Sequence, residues 1–421
     1  MVPQGRGSAD GIREGIAAVC QRRRACGPAG HAEENHARQP APVFPLSAAA
    51  ARGYDVVIVG GGAAGTAAAL TLARYTGLRI ALLEKQLFDD YRAGETVSSS
   101  IFSMLDFLGV GRGLLDGAQL PAFSHAAAWG SAELMSRDAV FSSHGHGLHL
   151  DRRQYDAILL EQARQAGVAL LRPAQLVQLE HGEPWHLRVL ADGQETALTA
   201  RYLIDCSGKQ AAIVRQRKRP IHTEDSLVAL YAYYQLAEPQ FLPHRTLVET
   251  TQHGWYYAAP LPGDRVALAF ITDADILKHL RLKEPAPWRQ AGMGTLHVRD
   301  ILARLPAPDA LRHYAIHSRV ASLPADENWT AAGDAAACFD PISSLGIGQA
   351  MASGIHAARV AEAYLAGERG MASGYRRSVF ASFETYLQMR RGFYGAEQRW
   401  PDAPFWQRRA GRHGAAAGLQ A

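Results

Sequence analysis

A strand, a glycine-rich turn and a helix follow one another directly after Tyr54, and this order constrains the fold more than any other feature of the chain. Residues 55–59 form a β-branched run of the kind that makes a strand buried on both faces of a parallel sheet. Residues 60–65 read Gly-Gly-Gly-Ala-Ala-Gly, and a helical stretch of small residues continues to Arg74. A second apolar run, residues 79–83, completes the βαβ pattern of a dinucleotide-binding cradle.

The glycines of the turn have separate physical roles. Gly60 permits the sharp turn from strand to helix, Gly62 lets a pyrophosphate approach bare backbone, and Gly65 lets the helix pack closely on the sheet. The helix N-terminus offers unpaired N–H groups and partial positive charge to the phosphates. Glu84, which lies 22 residues after Gly62, is placed to accept hydrogen bonds from ribose hydroxyls. The predicted contacts of this cradle are Gly60, Gly62, Ala63, Ala64, Gly65, Glu84 and Lys85.

Composition excludes several classes of protein. Hydrophobic residues make up 48% of the 421 residues and charged residues 20%, which excludes a chain that is disordered throughout. No run of about 18 uncharged apolar residues occurs, so we expect no membrane-spanning helix. Residues 1–50 carry 6 basic and 4 acidic side chains and residues 390–421 carry 6 and 2, so the rest of the chain has a net charge of −2 out of a total of +4. This near-neutral body gives no indication of nucleic-acid binding.

The cysteines and the first fifty residues bear on the location of the protein. Four cysteines in so long a chain indicate a reducing, cytoplasmic compartment, and Cys20 and Cys26 lack the second ligand pair of a zinc site. Residues 1–50 mix Gly, Pro, Ala and Arg without sustained periodicity, so we expect a disordered tail. The longest apolar stretch there, residues 15–20, is too short for a secretory signal.

A second glycine-and-aspartate segment lies far downstream. Residues 329–334 read as a short strand that meets Gly-Asp, and residues 340–348 contain Asp-Pro and a Gly-x-Gly that opens an Ala-rich helix. This segment resembles the second FAD fingerprint of the p-hydroxybenzoate hydroxylase-type flavoproteins. The cradle alone does not separate FAD from NAD, whereas the resemblance implies FAD, with Asp334 on the ribityl chain and the helix N-terminus at the pyrimidine edge of the flavin. The implied contacts are Gly333, Asp334, Pro341, Gly346 and Ile347.

The same resemblance covers three shorter segments. Residues 92–96 (Arg-Ala-Gly-Glu-Thr) are similar to the Gly-Glu-Ser segment near the flavin in halogenase-like members. Residues 150–156 resemble the start of the helix whose arginine reaches the cofactor, and residues 205–208 look like the end of the third strand of the dinucleotide domain. The resemblance therefore adds Arg92, Arg152, Asp205 and Gly208 to the expected cofactor contacts.

The strand and helix patterns predict an α/β fold in which a Rossmann-like FAD-binding domain is interleaved with an antiparallel substrate-binding sheet. Strand-like runs at residues 228–234 and 265–270 indicate the sheet. The expected segments are the FAD-binding parts (51–215 and 315–370, with a substrate-side insertion near 120–150), the sheet (216–314) and a helical C-terminal region (371–421).

Residues 254–262 decide between the possible chemistries. They resemble the Trp-x-Trp-x-Ile-Pro segment of flavin-dependent tryptophan halogenases and, more loosely, a segment of geranylgeranyl reductases, which implies substrate contacts from Trp255 and Tyr257. Halogenases of that type need a lysine and a glutamate, but Ser124 and Ser343 stand at the matching positions. Lysine-dependent halogenation is therefore disfavoured. Transfer of flavin-activated oxygen to an electron-rich ring in a dry aromatic pocket is favoured instead.

Such a transfer gains from a base whose pKa lies near neutrality, and histidine has this property. The candidates are His144, His146 and His149, of which we take His149 as catalytic together with Trp255 and Tyr257. A metal site or purely structural histidines are the alternatives for this cluster, and we expect no metal.

One branch of the halogenase-like group resembles the chain further: the flavoproteins that hydroxylate a tryptophan in a partner polypeptide during maturation of protein-derived quinone cofactors. The shared features are residues 148–152, the missing lysine and glutamate, and the Trp- and Arg-rich residues 397–409, which either dock a peptide or pack on the FAD domain. We expect an FAD-dependent monooxygenase that acts on an aromatic, indole-type ring, free or carried by a polypeptide. NAD(P)H or a separate flavin reductase would supply electrons. A halogenase, a geranylgeranyl-reductase-like enzyme and a non-catalytic flavin-binding protein are the alternatives.

Overall fold

The structure is a computed structural model that describes residues 52–138, 145–237 and 244–409. The predicted tail (residues 1–50), His144 and the end of the predicted C-terminal region (residues 410–421) lie outside the described residues.

The helices and strands of the described residues are numbered in chain order. The helices are α1 (Ala63–Tyr75), α2 (Ile101–Phe107), α3 (Arg152–Gln165), α4 (Ala212–Gln216), α5 (Ala274–His279), α6 (Pro285–Met293), α7 (Val298–Leu302), α8 (Gly346–Leu365), α9 (Met371–Gly395) and α10 (Pro404–Arg409). The strands are β1 (Arg52–Val59), β2 (Ile80–Leu83), β3 (Thr96–Val97), β4 (Gln119–Ala122), β5 (Ser124–Ala128), β6 (Met135–Asp138), β7 (Gly147–Leu150), β8 (Ala169–Leu171), β9 (Ala174–Glu180), β10 (Trp185–Ala191), β11 (Gln194–Asp205), β12 (Ile221–Thr223), β13 (Leu227–Gln235), β14 (Arg245–Thr251), β15 (Gly254–Leu261), β16 (Arg265–Asp273), β17 (Arg312–Ala315), β18 (Arg319–Ala321), β19 (Ala325–Asp326), β20 (Trp329–Ala331) and β21 (Ala337–Cys338).

The first sheet is largely parallel. Strands β20, β11, β1, β2 and β8 lie side by side in this order and run in the same direction. The last four residues of β1 and all four of β2 are buried, because helices cover the sheet and the β-branched residues pack on both faces. Strand β19 extends one edge, and β9 and β10 pair antiparallel on the outer part of β11.

The carboxyl ends of four parallel strands meet at one edge of this sheet. Val59 pairs with Leu83 on one side and with Asp205 on the other, and Asp205 pairs with Ala331. The turns that follow these four strands therefore lie next to one another, although the strand ends Val59 and Ala331 are 272 residues apart in the chain. This is the edge at which open α/β sheets bind ligands.

The second sheet is antiparallel along most of its width. Its order is β17-β13-β16-β15-β14-β5-β6, and the pair β14–β5 is parallel. Side chains of β13 alternate between two apolar clusters: Val228 and Leu230 pack with Trp288 of α6, whereas Leu227 and Tyr231 pack with the C-terminal segment. Both faces of the sheet are thus covered, and the face that carries Tyr231 and Trp255 also borders a large cavity.

Two small sheets and the C-terminal helices complete the described part of the chain. Strands β3, β7 and β4 form one of them, and β12, β18 and β21 form the other. Strand β12 lies within the predicted substrate segment (216–314) but pairs outside the antiparallel sheet. Helices α9 and α10 bring Tyr394, Phe405 and Trp406 onto β15 and β16. Residues 397–409 therefore pack on the antiparallel sheet. The predicted α/β class with two sheets and C-terminal helices is confirmed. None of the helices among the described residues combines the length and apolar character that a membrane crossing needs.

Candidate active site

The glycine-rich turn after β1 is shaped by close backbone contacts. Gly60 has a φ of +108°, and a Cβ on it would lie 2.2 Å from the carbonyl oxygen of Cys206. A Cβ on Gly65 would lie 1.8 Å from the carbonyl oxygen of Gly60, so neither position accepts a side chain. A Cβ on Gly62 would instead have the Arg92 guanidinium as its nearest neighbour, at 3.6 Å. The backbone at Gly62 is therefore open toward the space in front of α1.

This space is a cavity of about 1180 Å³ that reaches from the turn to the antiparallel sheet. Most of the predicted cofactor contacts line it, although they come from distant parts of the chain. The lining includes Gly60, Gly62, Ala63, Ala64, Glu84, Lys85, Arg92, Arg152, Gly208, Gly333, Asp334, Pro341, Gly346 and Ile347. Gly65 and Asp205 do not line it.

Glu84 follows β2 and faces the glycine turn. Its Oε2 accepts a hydrogen bond from the Gly61 N–H at 2.7 Å, and its Oε1 accepts one from the Gln86 N–H at 2.6 Å. The side chain is buried, so these bonds hold the turn and the strand end together. Remaining lone pairs of the carboxylate are free for ribose hydroxyls, because an ionised carboxylate accepts about four hydrogen bonds.

Asp205 does not line the cavity but stabilises the turn that carries Gly208, which does. Its Oδ2 accepts from the N–H groups of Ile213 and Val214, and its Oδ1 accepts from the N–H and hydroxyl of Ser207. The carboxylate is fully buried and its acceptor capacity is filled by its own chain. Asp205 therefore orients the turn that carries Gly208, and the structure does not place it against a ligand.

Two arginines share one buried carboxylate at the cavity wall. Arg92 and Arg152 each lie 2.9 Å from Oδ2 of Asp156, whose side chain is fully buried. Arg152 also donates to the carbonyl of Ala93 at 3.1 Å. Two guanidinium groups facing one carboxylate leave a net positive charge, which suits an anionic group in the cavity.

Gly94 joins this wall to the start of α8. Its φ is +103°, and a Cβ on it would lie 2.9 Å from Nη1 of Arg152 and 3.6 Å from Cδ1 of Ile347. Three predicted cofactor segments thus meet within van der Waals distance at one glycine.

The second predicted segment forms the rim opposite α1. Gly333 has a φ of +58°, and its N–H donates to the Ser353 hydroxyl at 2.8 Å. A Cβ on Gly354 of α8 would lie 2.2 Å from the carbonyl oxygen of Ala64, so α8 packs tightly on α1. Asp334 lines the cavity, and its carboxylate accepts no hydrogen bond from the described residues.

A dinucleotide fits this donor and acceptor set. The cavity exceeds the roughly 300–1,000 Å³ of ordinary small-ligand sites, and two helices, α1 and α8, begin at its edge. Bare backbone at Gly62 and the arginine pair suit phosphates, and the free carboxylate of Asp334 suits a polyol hydroxyl. The fold and the site together define a dinucleotide-binding protein.

Comparison with known proteins specifies the class. A family model described as FAD binding domain matches residues 53–374, so the chain belongs to the FAD-binding domain family. The putative FAD-dependent oxidoreductase LodB of Marinomonas mediterranea is 29% identical over 361 residues, which cover 85% of this chain and 96% of LodB. FAD is therefore the cofactor, and the chain is an FAD-dependent oxidoreductase.

Solved structures share the fold. The flavin-dependent halogenase CmlS superposes with a TM-score of 0.76 at 23% identity, over 85% of this chain and 67% of CmlS. The peptidyl tryptophan dihydroxylase QhpG, described as essential for tryptophylquinone cofactor biogenesis, gives a TM-score of 0.70 at 24% identity, over 87% and 80% of the two chains. The predicted resemblance to halogenase-like FAD-dependent monooxygenases is confirmed.

Replacing Asp334 with alanine is expected to weaken FAD binding without destabilising the apoprotein. A hydrogen bond to a charged group contributes about 1.5–3 kcal/mol, so FAD affinity should fall about 10- to 150-fold. The melting temperature of the apoprotein should not change, because the carboxylate bonds to none of the described residues. Asp334→Asn, which keeps an acceptor oxygen, is the matched control and should lose less affinity in a fluorescence titration with FAD. Unchanged affinity in Asp334→Ala would remove Asp334 from the site.

The other end of the cavity is walled by aromatic side chains of the antiparallel sheet. Tyr231, Trp255, Tyr257 and Tyr314 line it. Trp255 is 1% exposed, and its indole N–H donates to the Tyr394 hydroxyl at 3.1 Å, so this N–H already has a partner within the protein. The Tyr257 hydroxyl lies 2.7 Å from Oγ1 of Thr96.

His149 lies behind this wall and does not line the cavity. Its Nδ1 is 3.1 Å from Oγ1 of Thr96, the same hydroxyl that contacts Tyr257. Burial, with smaller contributions from His125 and His244, lowers the pKa of His149 to about 3. The imidazole is therefore neutral at pH 7 and does not have the near-neutral pKa expected of the base. The imidazole is connected to the cavity wall through the Thr96 hydroxyl, which contacts Tyr257.

Glu95 is an ionisable group at the aromatic end that sequence reasoning did not single out as a site residue. It is 2% exposed and lines the cavity. Burial raises its pKa to about 7, although the Tyr233 hydroxyl, nearby backbone N–H groups and Arg152 act in the opposite direction. The sequence feature that could have identified Glu95 as a site residue is its position in the Gly-Glu-Thr segment (residues 94–96), which follows Arg92 and leads into β3. The burial that shifts its pKa depends on β13 and β15, which are more than 100 residues away.

Proposed function

We propose that this FAD-dependent oxidoreductase hydroxylates an aromatic ring of the indole type, with the ring carried by a partner polypeptide. The observation that carries the proposal is the composition of the aromatic end of the cavity. At that end the cavity is lined by Tyr231, Trp255 and Tyr257, and the buried carboxyl group among them is that of Glu95. The lysines that line the described cavity, Lys85 and Lys209, are both exposed.

The chain's own residues do what such a reaction requires. Bound FAD would supply two electrons and activate dioxygen for transfer to a ring carbon. The walls formed by Tyr231, Trp255 and Tyr257 exclude water and offer ring faces for stacking. Arg92 and Arg152 fix the anionic side of the cofactor, and Glu95 faces the ring from the sheet side.

The polypeptide substrate is supported by similarity to QhpG, whose name describes a peptidyl tryptophan dihydroxylase. Within the described residues a second glycine-rich dinucleotide cradle is absent. We therefore propose that electrons come from NAD(P)H that binds transiently or from a separate flavin reductase.

Halogenation is the second candidate, because CmlS gives a higher TM-score than QhpG. The residues at the decisive positions do not support it. Ser124 lies in β5 and does not line the cavity, and the Ser343 hydroxyl donates to the carbonyl of Asp340 at 2.7 Å. Neither serine can replace an ammonium or a carboxylate in halide chemistry.

The test is oxygen-isotope labelling of the product. FAD-loaded protein, NADH and a flavin reductase are incubated under oxygen-18 gas with free tryptophan or with a tryptophan-containing polypeptide, each with and without chloride and bromide. We expect labelled oxygen in the polypeptide, in an amount that does not depend on halide. A halogenated product, or turnover without oxygen, would contradict hydroxylation. Efficient turnover of free tryptophan would contradict the polypeptide substrate.

A further inference from the structure

Glu95 lies between the predicted cofactor contacts Arg152 and Ile347 on one side and the antiparallel sheet on the other. It follows Gly94, the glycine in contact with Arg152 and Ile347, and its own carbonyl accepts from the Leu150 N–H at 2.7 Å. The backbone of Glu95 is therefore held by both the cofactor segments and β7. Its side chain points to the face of β13, where Oε1 lies 3.0 Å from the Tyr233 hydroxyl and Oε2 lies 3.5 Å from the Tyr231 hydroxyl.

Among the residues that the structure describes, no cation is bonded to the Glu95 carboxylate. Tyr231 and Tyr233 on β13, Tyr257 on β15 and Tyr314 on β17 face it from the sheet, and Arg152 faces it from α3. Arg152 is committed to Asp156 and to the carbonyl of Ala93. The tyrosines remain protonated, because burial raises the pKa of Tyr231, Tyr233, Tyr257 and Tyr314.

The carboxylate of Glu95 has acceptor capacity left over. An ionised carboxylate accepts about four hydrogen bonds. The Tyr233 hydroxyl supplies one at 3.0 Å and the Tyr231 hydroxyl a long one at 3.5 Å, and the nearby N–H groups of Gly94 and Glu95 also favour the charged form, so the long contact with Tyr231 is the place at which an entering donor can compete. A buried acceptor without its full set of donors is costly, so a donor that enters the cavity beside Glu95 would be bound well. The neighbouring walls are aromatic, which fits a flat ring that carries the donor at its edge.

We propose that Glu95 binds the substrate by accepting a hydrogen bond from the ring N–H of an indole. This proposal rests on the proposed function, since it names the group that recognises the indole ring in that reaction. The hydrogen bond fixes the ring against Tyr231 and Trp255 and draws the N–H proton toward the carboxylate. The electron density of the ring carbons rises as a result, which favours their attack on electrophilic oxygen.

Recognition of the N–H should depend on pH near neutrality. Above the Glu95 pKa of about 7 the carboxylate is a charged acceptor, whereas below it the protonated group is a weaker one. A charge-assisted bond should make indole bind about tenfold or more tightly than 1-methylindole at pH 9, with a much smaller difference at pH 5.5. The bulk of the methyl group affects both pH values alike, so the pH dependence isolates the hydrogen bond.

The test is equilibrium dialysis of indole and 1-methylindole against the FAD-loaded protein from pH 5.5 to 9. In Glu95→Gln the preference for indole should lose its pH dependence, because an amide does not titrate. Tyr233→Phe removes the hydroxyl that favours the charged form, so the midpoint of the pH dependence should rise. Tyr234→Phe is the matched control: its hydroxyl lies on the opposite face of β13 and should leave the midpoint unchanged.

Stability gives a second readout that needs no ligand. The folded-state pKa of Glu95 is raised, so the stability that its protonated form contributes is complete below the unfolded value of 4.5 and is lost as pH rises through about 7. The melting temperature of Glu95→Gln relative to the unsubstituted protein should therefore rise between pH 5 and pH 9. Absent or equal binding of indole and 1-methylindole at pH 9, or a preference that stays pH-dependent in Glu95→Gln, would overturn the proposal. None of these measurements detects product, so their failure is distinguishable from failure of the hydroxylation test.

Discussion

Replacing Gly62 with valine is expected to give a folded protein that binds no FAD at ordinary concentrations. Gly62 has an extended backbone, with φ −76° and ψ −168°, and a Cβ there meets no atom closer than 3.6 Å, so the apoprotein accommodates the side chain. The valine would occupy the space in which the phosphates approach the N-terminus of α1. Loss of two charge-assisted phosphate bonds costs about 3–6 kcal/mol, which weakens FAD at least about a hundredfold.

The measurement is the visible absorbance of purified protein, followed by FAD titration and thermal melting of the apoprotein. Gly77→Val is the matched control, because Gly77 is exposed and a Cβ on it meets no atom within 4 Å. The control should be as yellow as the unsubstituted protein. If Gly62→Val keeps stoichiometric FAD, the phosphates do not lie at this turn.

Replacing Asp273 with alanine is expected to destabilise the fold by about 3–5 kcal/mol. Asp273 ends β16 and is 1% exposed, and it pairs with Arg409 of α10 through distances of 2.5 and 3.0 Å. The Arg409 side chain is 3% exposed, so removal of the carboxylate leaves a buried guanidinium without its counter-ion. Urea unfolding of the apoprotein measures this loss, which reports how strongly the C-terminal segment is fixed to the antiparallel sheet.

Asp275→Ala is the control for this prediction. Asp275 pairs with Arg408 on the surface, with exposed side-chain fractions of 59% and 42%. A solvent-exposed ion pair contributes about 0–1 kcal/mol, so this variant should differ little from the unsubstituted protein. Equal effects of the two substitutions would show that the buried pair does not anchor α10.

The nucleotide cradle could be predicted from the sequence because its chemistry is local. Gly60 and Gly65 are fixed by close contacts with the carbonyls of Cys206, at the end of an adjacent strand, and of Gly60, whereas Gly62 between them stays open. The strand and helix around them have strong patterns. The pairing of Val59 with Asp205, and of Asp205 with Ala331, then explains why the downstream segment lies at the same edge.

The roles of Asp205, His149 and Glu95 depend on tertiary burial, which a local pattern does not reveal. Asp205 stands at a predicted strand end, but its oxygens bond to the N–H groups of α4 rather than to the cavity. His149 on β7 is fully buried, so its pKa falls far below that of a free imidazole. Burial by strands more than 100 residues away raises the pKa of Glu95, whereas the Tyr233 hydroxyl acts in the opposite direction.

From its composition, the segment at residues 397–409 was expected either to dock a peptide or to pack on the FAD domain, whereas in the structure it packs on the antiparallel sheet. Phe405 and Trp406 are buried on the antiparallel sheet, and the indole N–H of Trp406 donates to the Thr251 carbonyl at 2.9 Å. Tryptophan and arginine anchor interfaces within a chain as well as between chains, so their presence alone does not identify the partner.

Titration of the apoprotein with FAD shows whether the glycine turn after β1 and the segment around Asp334 form one site. We expect a yellow protein that binds one FAD per chain. We also expect indole to change the flavin spectrum, because the ring would bind in the same cavity. A folded chain that stays colourless after incubation with excess FAD would show that the two segments do not form an FAD site.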